Sequence, residues 1–340
     1  MRQIWIPKPG APEVFEIREA PDPEPKAGEV RVRVKAAGIN FADIMARLGT
    51  YPDFPGYPGV CGYEFSGTVD AIGEGVDASR MGQEVLGLTR FGGYSDVVCV
   101  PVQQVVERPD VLTVEEAGGF AVTYLTAYQL MIVMGSLKEG ETVLVHSAGG
   151  GVGISAIQIA QALGVNVVGT ASKGKHEFLR SIGVEHLIDY RTEDFVKRTL
   201  ELTDGRGVEL ALDAVGGSSF KKSYECLSPT GRLGMFGFST GVSGKKRSIW
   251  ALLSGFFSMP WFRFNPLNLM NENKGVFGVN LGQMWDESDR IEGWLTHLMD
   301  MAKEGHLKPR IDKAFSFEEA ADAHHYIQDR KNIGKVILVP

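Results

Sequence analysis

The chain has 340 residues, of which 44% are hydrophobic and 23% charged, and this globular composition excludes a disordered or fibrous protein. Lysine and arginine total 35 against 42 aspartates and glutamates, so the net charge of −7 argues against a nucleic-acid partner. Three scattered cysteines without a CxxC pair exclude a disulfide framework, and we expect a cytoplasmic protein because no signal-peptide pattern opens the chain.

The first region, residues 1–123, consists of short apolar segments divided by glycine and proline. Residues 30–37 (VRVRVKAA) alternate apolar and polar side chains, which is the period of a half-buried antiparallel strand. Turn signals follow at residues 57–59, 73–75 and 92–93. We therefore predict an antiparallel β domain in this region.

From residue 124 the pattern changes to apolar strands that alternate with helices. A helix is predicted over residues 153–163, where apolar side chains share one face. The strands are apolar on both faces, which is typical of a parallel sheet covered by helices on both sides. The predicted strands are residues 142–146, 165–169, 187–189, 208–213, 232–236 and 275–280. The sequence thus predicts an α/β fold with a Rossmann domain over residues 124–285.

The closing segment, residues 286–340, holds an amphipathic helix at 291–302 and a strand at 335–339. A six-stranded α/β unit is complete without these elements. We therefore expect them to return to the first domain.

A glycine-rich loop, residues 146–153 (HSAGGGVG), lies directly between a predicted strand and a predicted helix. In the fingerprint G-x-G-x-x-G, the second glycine lets backbone approach a pyrophosphate and the third lets the helix pack on the strand. Ala148 stands at the first glycine position, with Gly150 and Gly153 at the others. A plain glycine turn is the alternative, but the helix N-terminus that follows favours an anion. We predict a dinucleotide site here.

The strand after this loop is followed by Ser172 and Lys173, with no aspartate or glutamate to bind the ribose 2′-hydroxyl of NAD. A carboxylate would repel a 2′-phosphate, whereas a hydroxyl and an ammonium bind it through charge-assisted hydrogen bonds. A solvated lysine at a helix start is the alternative interpretation of Lys173. Because the acid is missing, the sequence favours NADPH.

Together these residues resemble the zinc-independent quinone oxidoreductase branch of the medium-chain dehydrogenase/reductase superfamily, over nearly the whole chain. Within that branch, residues 265–274 and 305–309 resemble the vesicle amine transport protein homologues. The resemblance implies a GroES-like β domain and a Rossmann domain with a cleft between them. The matching segments are residues 36–43, 58–64, 123–128, 148–153 and 332–335.

The zinc alcohol dehydrogenases of the same superfamily differ from this chain at their metal site. Their catalytic zinc needs a cysteine where this chain has Asn40 and a histidine where it has Tyr63. An amide and a phenol are poor substitutes for a thiolate and an imidazole. His324 and His325 are adjacent and would point about 100° apart on a helix, so they form no ligand pair. We therefore expect no metal.

The resemblance implies hydride transfer from NADPH to a quinone or an α,β-unsaturated carbonyl, which are acceptors that need no Lewis acid. Asn40 would hydrogen-bond the substrate carbonyl or the nearby ribose, and the proton would come from Tyr51 or from water. Both residues have an alternative role, Asn40 as a turn-stabilising amide and Tyr51 as a loop aromatic. Asp43 is interpreted as a carboxylate of the first helical turn rather than a catalytic group.

The cofactor site implied by the resemblance spans several loops. Thr126 would lie near the nicotinamide amide and Tyr190 near the adenosine phosphate. Phe236 has the alternative of a core aromatic, and Gly216 and Gly217 that of a purely steric role. The predicted cofactor residues are Thr126, Ala148, Gly150, Gly151, Val152, Gly153, Ser172, Lys173, Tyr190, Phe236, Gly237, Ser239 and Asn332.

An apolar segment, residues 249–264, is shorter than the roughly 20 residues of a membrane span, and Pro260 breaks it. We expect no stable membrane insertion; the segment would instead line the cleft, join a dimer or touch a membrane surface. The homodimer implied by the resemblance pairs Rossmann domains through the strand at 275–280. A nucleotide-binding scaffold or a membrane-associated protein, with little or no turnover, is the alternative function.

Overall fold

The computed structural model describes residues 1–239 and 265–340. The chain divides into two compact units. The first unit comprises Met1–Leu125 and Leu281–Pro340, and the second comprises residues 126–239 and 265–280. Each unit contains its own main sheet.

Strands and helices follow one another differently along the two units, because only the second alternates them regularly. The strands are β1 (Arg2–Ile6), β2 (Glu16–Glu19), β3 (Glu29–Gly38), β4 (Gly59–Val60), β5 (Glu64–Ile72), β6 (Glu84–Leu88), β7 (Val97–Pro101), β8 (Val105–Glu107), β9 (Thr142–Val145), β10 (Asn166–Ala171), β11 (His186–Asp189), β12 (Val208–Asp213), β13 (Leu227–Met235), β14 (Gly275–Gly278), β15 (Ile311–Ser316) and β16 (Lys335–Val339). The helices are α1 (Phe41–Leu48), α2 (Val114–Gly118), α3 (Ala121–Tyr128), α4 (Gly151–Ala162), α5 (His176–Ser181), α6 (Phe195–Leu202), α7 (Ser218–Glu225), α8 (Pro266–Glu272), α9 (Ser288–Lys303) and α10 (Ala320–Gln328).

Strand β3 lies at the centre of the main sheet of the first unit, whose order is β15-β16-β3-β5-β6-β8 with β7 also paired to β3. Val30 and Val32 of β3 are fully buried, while Arg31 between them pairs with Asp70 at 2.8 Å. The predicted alternation is therefore confirmed. Since β16 pairs antiparallel with β3 and β15 pairs with β16, the closing strands of the chain extend this sheet.

The six strands of the second unit are all parallel, in the order β11-β10-β9-β12-β13-β14. This is the 3-2-1-4-5-6 order of the Rossmann fold, and the order reverses between β9 and β12. Strand β12 is buried along its whole length, as expected for a strand covered on both faces. The predicted α/β fold, with a parallel Rossmann sheet in one unit and an antiparallel β domain in the other, is confirmed.

The predicted elements differ from the observed ones mainly at their ends. Helix α4 begins at Gly151 rather than Gly153, because the last residues of the glycine-rich loop already form its first turn. Strand β13 begins at Leu227, well before the predicted 232–236, because Leu227 already pairs with Val208 of β12 ahead of an irregular stretch in which Thr230 has a φ of 69°. The predicted sixth strand is confirmed as β14, at the edge of the sheet.

The apolar segment 249–264 lies outside the described residues. Helix α8, which follows it, exposes Leu267 and Met270 at 62% and 64%. Within residues 1–239 and 265–340, no helix combines the length and the apolar character needed to cross a bilayer.

Candidate active site

The glycine-rich loop joins β9 to α4 at the carboxyl edge of the parallel sheet. Its left-handed residue is Ser147, with a φ of 54°, so Ala148 at the first glycine position does not need the conformational freedom of glycine. A Cβ on Gly153 would lie 2.5 Å from the carbonyl oxygen of Ser147 and 2.6 Å from that of Ala148. Only glycine therefore allows the start of α4 to pack this closely on the loop.

Gly150, just before α4, has a much more open surface. Among the described residues, a Cβ there would meet only the Ser147 carbonyl oxygen within 4 Å, at 3.3 Å. The first N–H groups of a helix have no acceptor within the helix, so those of Gly151 and Val152 are available to an anion. This end of α4 can therefore receive a phosphate group.

Strands β10 and β11 bring two further predicted residues to the same edge. Ala171 and Asp189 are register partners at the strand ends, so the residues that follow them, Ser172 and Tyr190, emerge next to each other. Tyr190 is 39% exposed, and the Arg191 guanidinium lies 6.0 Å from its ring centroid. The end of β10 thus carries the Ser172 hydroxyl, with the Tyr190 ring after β11 next to it, while the Asp189 carboxyl that ends β11 is buried.

A lysine outside the predicted set of cofactor residues lies against the glycine-rich loop. A Cβ on Gly149 would be 2.7 Å from Cδ of Lys175, so the Lys175 stem crosses the loop. Lys173 is exposed, and the two lysines begin and end one short 3-10 turn. The sequence does contain this second lysine, two residues after Lys173. Only the conformation of the turn shows that Lys175, and not Lys173, lies against the loop.

The loops after β12 and β13 are held together by backbone hydrogen bonds. Phe236 N donates to the Asp213 carbonyl oxygen at 3.1 Å, and Ser239 N donates to that of Ala214 at 3.1 Å. Gly237 fits closely, since a Cβ on it would lie 3.0 Å from the Ala214 carbonyl oxygen. Phe236 is half-buried, so it is not a fully buried core aromatic.

The glycine pair after β12 has a conformational reason to be glycine. Gly216 and Gly217 have φ angles of 80° and 61°, in the left-handed region. A Cβ on Gly216 would also collide with the Phe238 ring. This geometry supports the steric role considered for the pair.

A series of buried, hydrogen-bonded polar side chains lies below this edge. His146 Nδ1 lies 3.0 Å from Thr170 Oγ1, and its Nε2 lies 2.9 Å from Ser223 Oγ. Ser223 donates its only hydroxyl proton to Asp213 Oδ2 at 2.6 Å, so His146 Nε2 must be the donor to Ser223. Burial lowers the pKa of His146 and keeps it neutral. Asp213 also accepts the N–H of Val215 at 2.7 Å, which fixes the start of the loop after β12.

Two predicted cofactor residues belong to other elements. Thr126 lies on α3 and is 8% exposed. Asn332 lies in the first unit, just before β16, where its Nδ2 donates to the Gly334 carbonyl oxygen at 2.8 Å. Their predicted roles toward a cofactor stay predictions.

Asn40, the predicted residue for the substrate carbonyl or ribose, precedes α1 and is half-buried. Its Nδ2 donates to Glu64 Oε1 at 2.9 Å, and its Oδ1 accepts from Lys335 Nζ at 2.9 Å. Its backbone N–H donates to Asp43 Oδ2 at 2.8 Å. Asp43 is thus the first-turn carboxylate that the sequence predicted, and burial raises its pKa to about 6.

Tyr51 belongs to an aromatic cluster of the first unit. Its ring lies edge-on to Tyr63 and Phe91, with centroids 6.2 and 6.3 Å apart. Tyr63 in turn stacks on Trp285 at 6.3 Å. Burial raises the pKa of Tyr51, and a hydrogen bond with Tyr63 opposes this effect. The Tyr51 hydroxyl is therefore a protonated group beside flat apolar surfaces.

Comparison with known proteins places this chain in a family. Residues 26–110 match the alcohol dehydrogenase GroES-like domain, and residues 182–338 match the family described as zinc-binding dehydrogenase. The synaptic vesicle membrane protein VAT-1 homolog of Rattus norvegicus is 40% identical over 96% of this chain and 80% of its own length. The chain belongs to the medium-chain dehydrogenase/reductase superfamily. It is an oxidoreductase of that superfamily, and the resemblance seen in the sequence is confirmed.

Solved structures of medium-chain dehydrogenases/reductases share the whole fold. The quinone oxidoreductase of Escherichia coli, complexed with NADPH, is 29% identical with a TM-score of 0.86 and covers 100% of both chains. The CurK enoyl reductase is 30% identical with a TM-score of 0.84, over 99% of this chain and 98% of the other.

Whether this medium-chain dehydrogenase/reductase could bind a catalytic zinc ion depends on two side chains. At the two positions that correspond, by the resemblance, to zinc ligands of the alcohol dehydrogenases, this chain carries the Asn40 amide and the Tyr63 phenol. Burial, and then the hydrogen bond with Tyr51, hold the pKa of Tyr63 well above its ordinary value, which disfavours a phenolate ligand. No cluster of three or more His, Cys, Asp or Glu side chains suited to a metal occurs in residues 1–239 and 265–340.

Proposed function

We propose that this oxidoreductase transfers hydride from NADPH to a quinone or an α,β-unsaturated carbonyl without a zinc ion. The observation that carries the proposal is the carboxyl edge of the parallel sheet, where the start of α4 adjoins the ends of β10 and β11. The likeness to a quinone oxidoreductase complexed with NADPH and to an enoyl reductase supports both the cofactor and the acceptor class.

The residues of this edge fit NADPH by their chemistry. The open surface at Gly150 and the N–H groups of the first turn of α4 would hold the pyrophosphate. Ser172, Lys173 and Lys175 would hold the adenosine phosphate, with the Tyr190 ring beside it. The remaining residues of the proposed cofactor site are Thr126, Ala148, Gly151, Val152, Gly153, Phe236, Gly237, Ser239 and Asn332. When bound, the nicotinamide supplies the hydride.

The absence of a Lewis acid in this proposal rests on the chemistry of two side chains. The Asn40 amide is engaged by Glu64 and Lys335, and Tyr63 is held as a neutral phenol. Neither is a strong zinc ligand. An acceptor that takes hydride readily, such as a quinone or an enone, needs no metal, and the protein then acts by orientation and exclusion of water.

The second step of the reaction is delivery of a proton, which we assign to the Tyr51 hydroxyl or to water. Burial raises the pKa of Tyr51, so its hydroxyl is protonated at neutral pH and able to act as a donor. The Tyr51→Phe variant separates the two sources. A fall in kcat of about 100-fold assigns the proton to Tyr51, and an unchanged kcat assigns it to water.

The proposal is tested by mixing the protein with NADPH and a panel of quinones and enones and following the loss of NADPH absorbance. Turnover of at least one acceptor, faster with NADPH than with NADH, is the expected result. Tight NADPH binding without turnover on any acceptor would instead support a nucleotide-binding scaffold. Stoichiometric zinc whose removal abolishes turnover would overturn the zinc-free reaction.

We further propose that the protein is a cytoplasmic homodimer. The cytoplasm is supported by its three cysteines, all of which are free, since a reducing compartment keeps thiols in that state. The dimer is supported by β14, which is the edge strand of the parallel sheet among the described residues, because an edge strand can pair with a second copy. Light scattering of the purified protein tests the dimer, and a monomer mass would contradict it.

A further inference from the structure

A buried ion pair of the first unit contacts Asn40, and the proposed function gives the pair itself no role. Lys335 Nζ lies 2.7 Å from Glu64 Oε1, and the two side chains are 5% and 0% exposed. Gly38 leaves space for the carboxylate, because a Cβ on it would collide with Glu64 Oε1. A buried pair generally stabilises a fold no more than apolar side chains of the same volume would. Its hydrogen bonds to a third residue are therefore its most informative feature.

That third residue is Asn40, whose amide is held at both ends. Lys335 Nζ donates to Asn40 Oδ1 and Asn40 Nδ2 donates to Glu64 Oε1, each at 2.9 Å. An ammonium can only donate and a carboxylate can only accept. Rotating the amide by half a turn would put Nδ2 against the ammonium and Oδ1 against the carboxylate. The pair thus fixes which end of the amide points where.

The pair itself cannot swing away, since its other polar groups are satisfied. Lys335 Nζ also donates to the Ile39 carbonyl oxygen at 2.9 Å, and Glu64 Oε2 accepts the Val122 N–H at 2.8 Å. The cluster therefore joins β16, β5, α3 and the start of α1 through charge-assisted hydrogen bonds.

The fixed amide has one free hydrogen-bonding function. One proton of Asn40 Nδ2 goes to Glu64, and the other faces the Gly38 carbonyl oxygen at 3.4 Å. Asn40 Oδ1 accepts from Lys335 with one lone pair, and no hydrogen bond within residues 1–239 and 265–340 uses the second. Asn40 can therefore accept a hydrogen bond from a ligand hydroxyl, but it has no well-placed proton for a substrate carbonyl.

We propose that Lys335 and Glu64 are positioning residues that lock Asn40 as a hydrogen-bond acceptor for a hydroxyl of the cofactor or of the acceptor substrate. This inference rests on the proposed function. Of the two roles considered for Asn40, binding of the substrate carbonyl or of the ribose, it favours the one in which Asn40 binds a hydroxyl. It also gives Glu64 and Lys335, which are distant in sequence, a part in the reaction.

Two changes at position 40 test the acceptor role. Asn40→Leu removes the oxygen, and we expect the dissociation constant of NADPH, or the KM of the acceptor, to rise about tenfold. The double variant Asn40→Asp with Glu64→Gln exchanges amide and carboxylate, so it keeps the net charge and an oxygen acceptor at position 40. The dissociation constant or KM of this double variant should stay within about threefold of the parent value, since one hydrogen-bonding oxygen is retained. Equal loss in both variants would show a donor role and overturn the inference.

Lys335→Met tests whether the lysine acts through Asn40. If it does, Lys335→Met raises the dissociation constant of NADPH, or the KM of the acceptor, about tenfold in the parent. The same change adds almost nothing in the Asn40→Leu background. A merely structural lysine would add its loss in both backgrounds, which contradicts the proposal. Lys335→Gln, which keeps a donor without the charge, replaces the methionine variant if that does not fold. Lys303→Met, at an exposed surface pair, is the matched control.

The constants measured also identify the hydroxyl. A change in NADPH binding without any acceptor assigns it to the cofactor, whereas a change confined to the acceptor KM at saturating NADPH assigns it to the substrate. The parent is measured first. A parent that neither binds nor oxidises NADPH removes the proposed function, whereas an active parent whose Asn40→Leu variant behaves identically removes this inference alone.

Discussion

The two units present their functional polar groups in opposite ways. At the sheet edge of the second unit, a half-exposed loop, helix N–H groups and the lysines at 173 and 175 lie at or near the surface. In the first unit, Lys335 and Glu64 are almost fully buried and bind each other. The proposed function assigns reversible binding of an anion to the exposed edge, whereas the hydrogen bonds of the buried cluster hold one geometry. Changes at the edge should alter affinity, and changes in the cluster should alter stability first.

The strongest test of this contrast is Glu64→Gln. It leaves the Lys335 ammonium buried without a counter-charge, so we expect the free energy of unfolding to fall by about 3–5 kcal/mol. Urea denaturation measures this value. The matched control is Asp300→Asn, whose partner Lys303 is 60% exposed, and it should change the same free energy by less than about 1 kcal/mol. Similar losses in both variants would contradict the contrast.

The buried cluster also explains what the sequence could and could not predict. Periodicity gave the strands and helices, and the position of the glycine-rich loop between a strand and a helix gave Gly150 and Gly153. Glu64 and Lys335 are 271 residues apart, and their side chains meet only because β16 returns to the sheet of β3. From the sequence, Lys335 was one residue of a closing strand, with nothing local to mark its partner.

A smaller effect in the same unit concerns pH. Burial raises the pKa of Asp43 from 3.8 to about 6, although the N–H groups of Asn40 and Gly62 act to lower it. The folded chain therefore binds this proton more tightly than the unfolded chain. The resulting stability is complete below about pH 4 and is lost as the pH rises through about 6.

Asp43→Asn isolates this contribution. The free energy of unfolding of the parent minus that of the variant should fall by about 2–3 kcal/mol between pH 4 and pH 7. Urea denaturation at several pH values gives the difference, and the other titrating groups cancel in it. A difference that is flat, or that grows as the pH rises, would show that the Asp43 carboxyl is not destabilised by burial.

On the other side of the comparison, Gly153→Ala tests the packing of the edge itself. The new Cβ would meet two backbone carbonyl oxygens, which cannot move without the loop, so we expect a loss of about 1–3 kcal/mol in stability. NADPH affinity should fall with it. Gly293→Ala on α9 is the control, because a Cβ there has no described heavy atom within 4 Å. That change should stabilise the helix by about 0.5–1 kcal/mol.

The smallest expected effect separates the two lysines at the edge. Lys175→Asp should weaken NADPH binding about tenfold, or about 1.4 kcal/mol, and leave NADH within about threefold. The reason is the position of its stem across Gly149, beside the proposed phosphate site. Lys173→Asp should show a smaller loss, since Lys173 is exposed at the other end of the turn. Calorimetry with both cofactors gives all four constants.

The conclusion depends on which of the two lysine variants loses more affinity for NADPH. A larger loss in the Lys175 variant means that the local 3-10 turn, invisible in the sequence pattern, decides which ammonium meets the phosphate. A larger loss in the Lys173 variant means that the residue chosen from the sequence is correct and that the loop rearranges when the cofactor binds. Equal losses for NADPH and NADH in both variants would remove the adenosine phosphate from this edge. The contrast between a binding edge and a buried cluster would then stand without its proposed ligand.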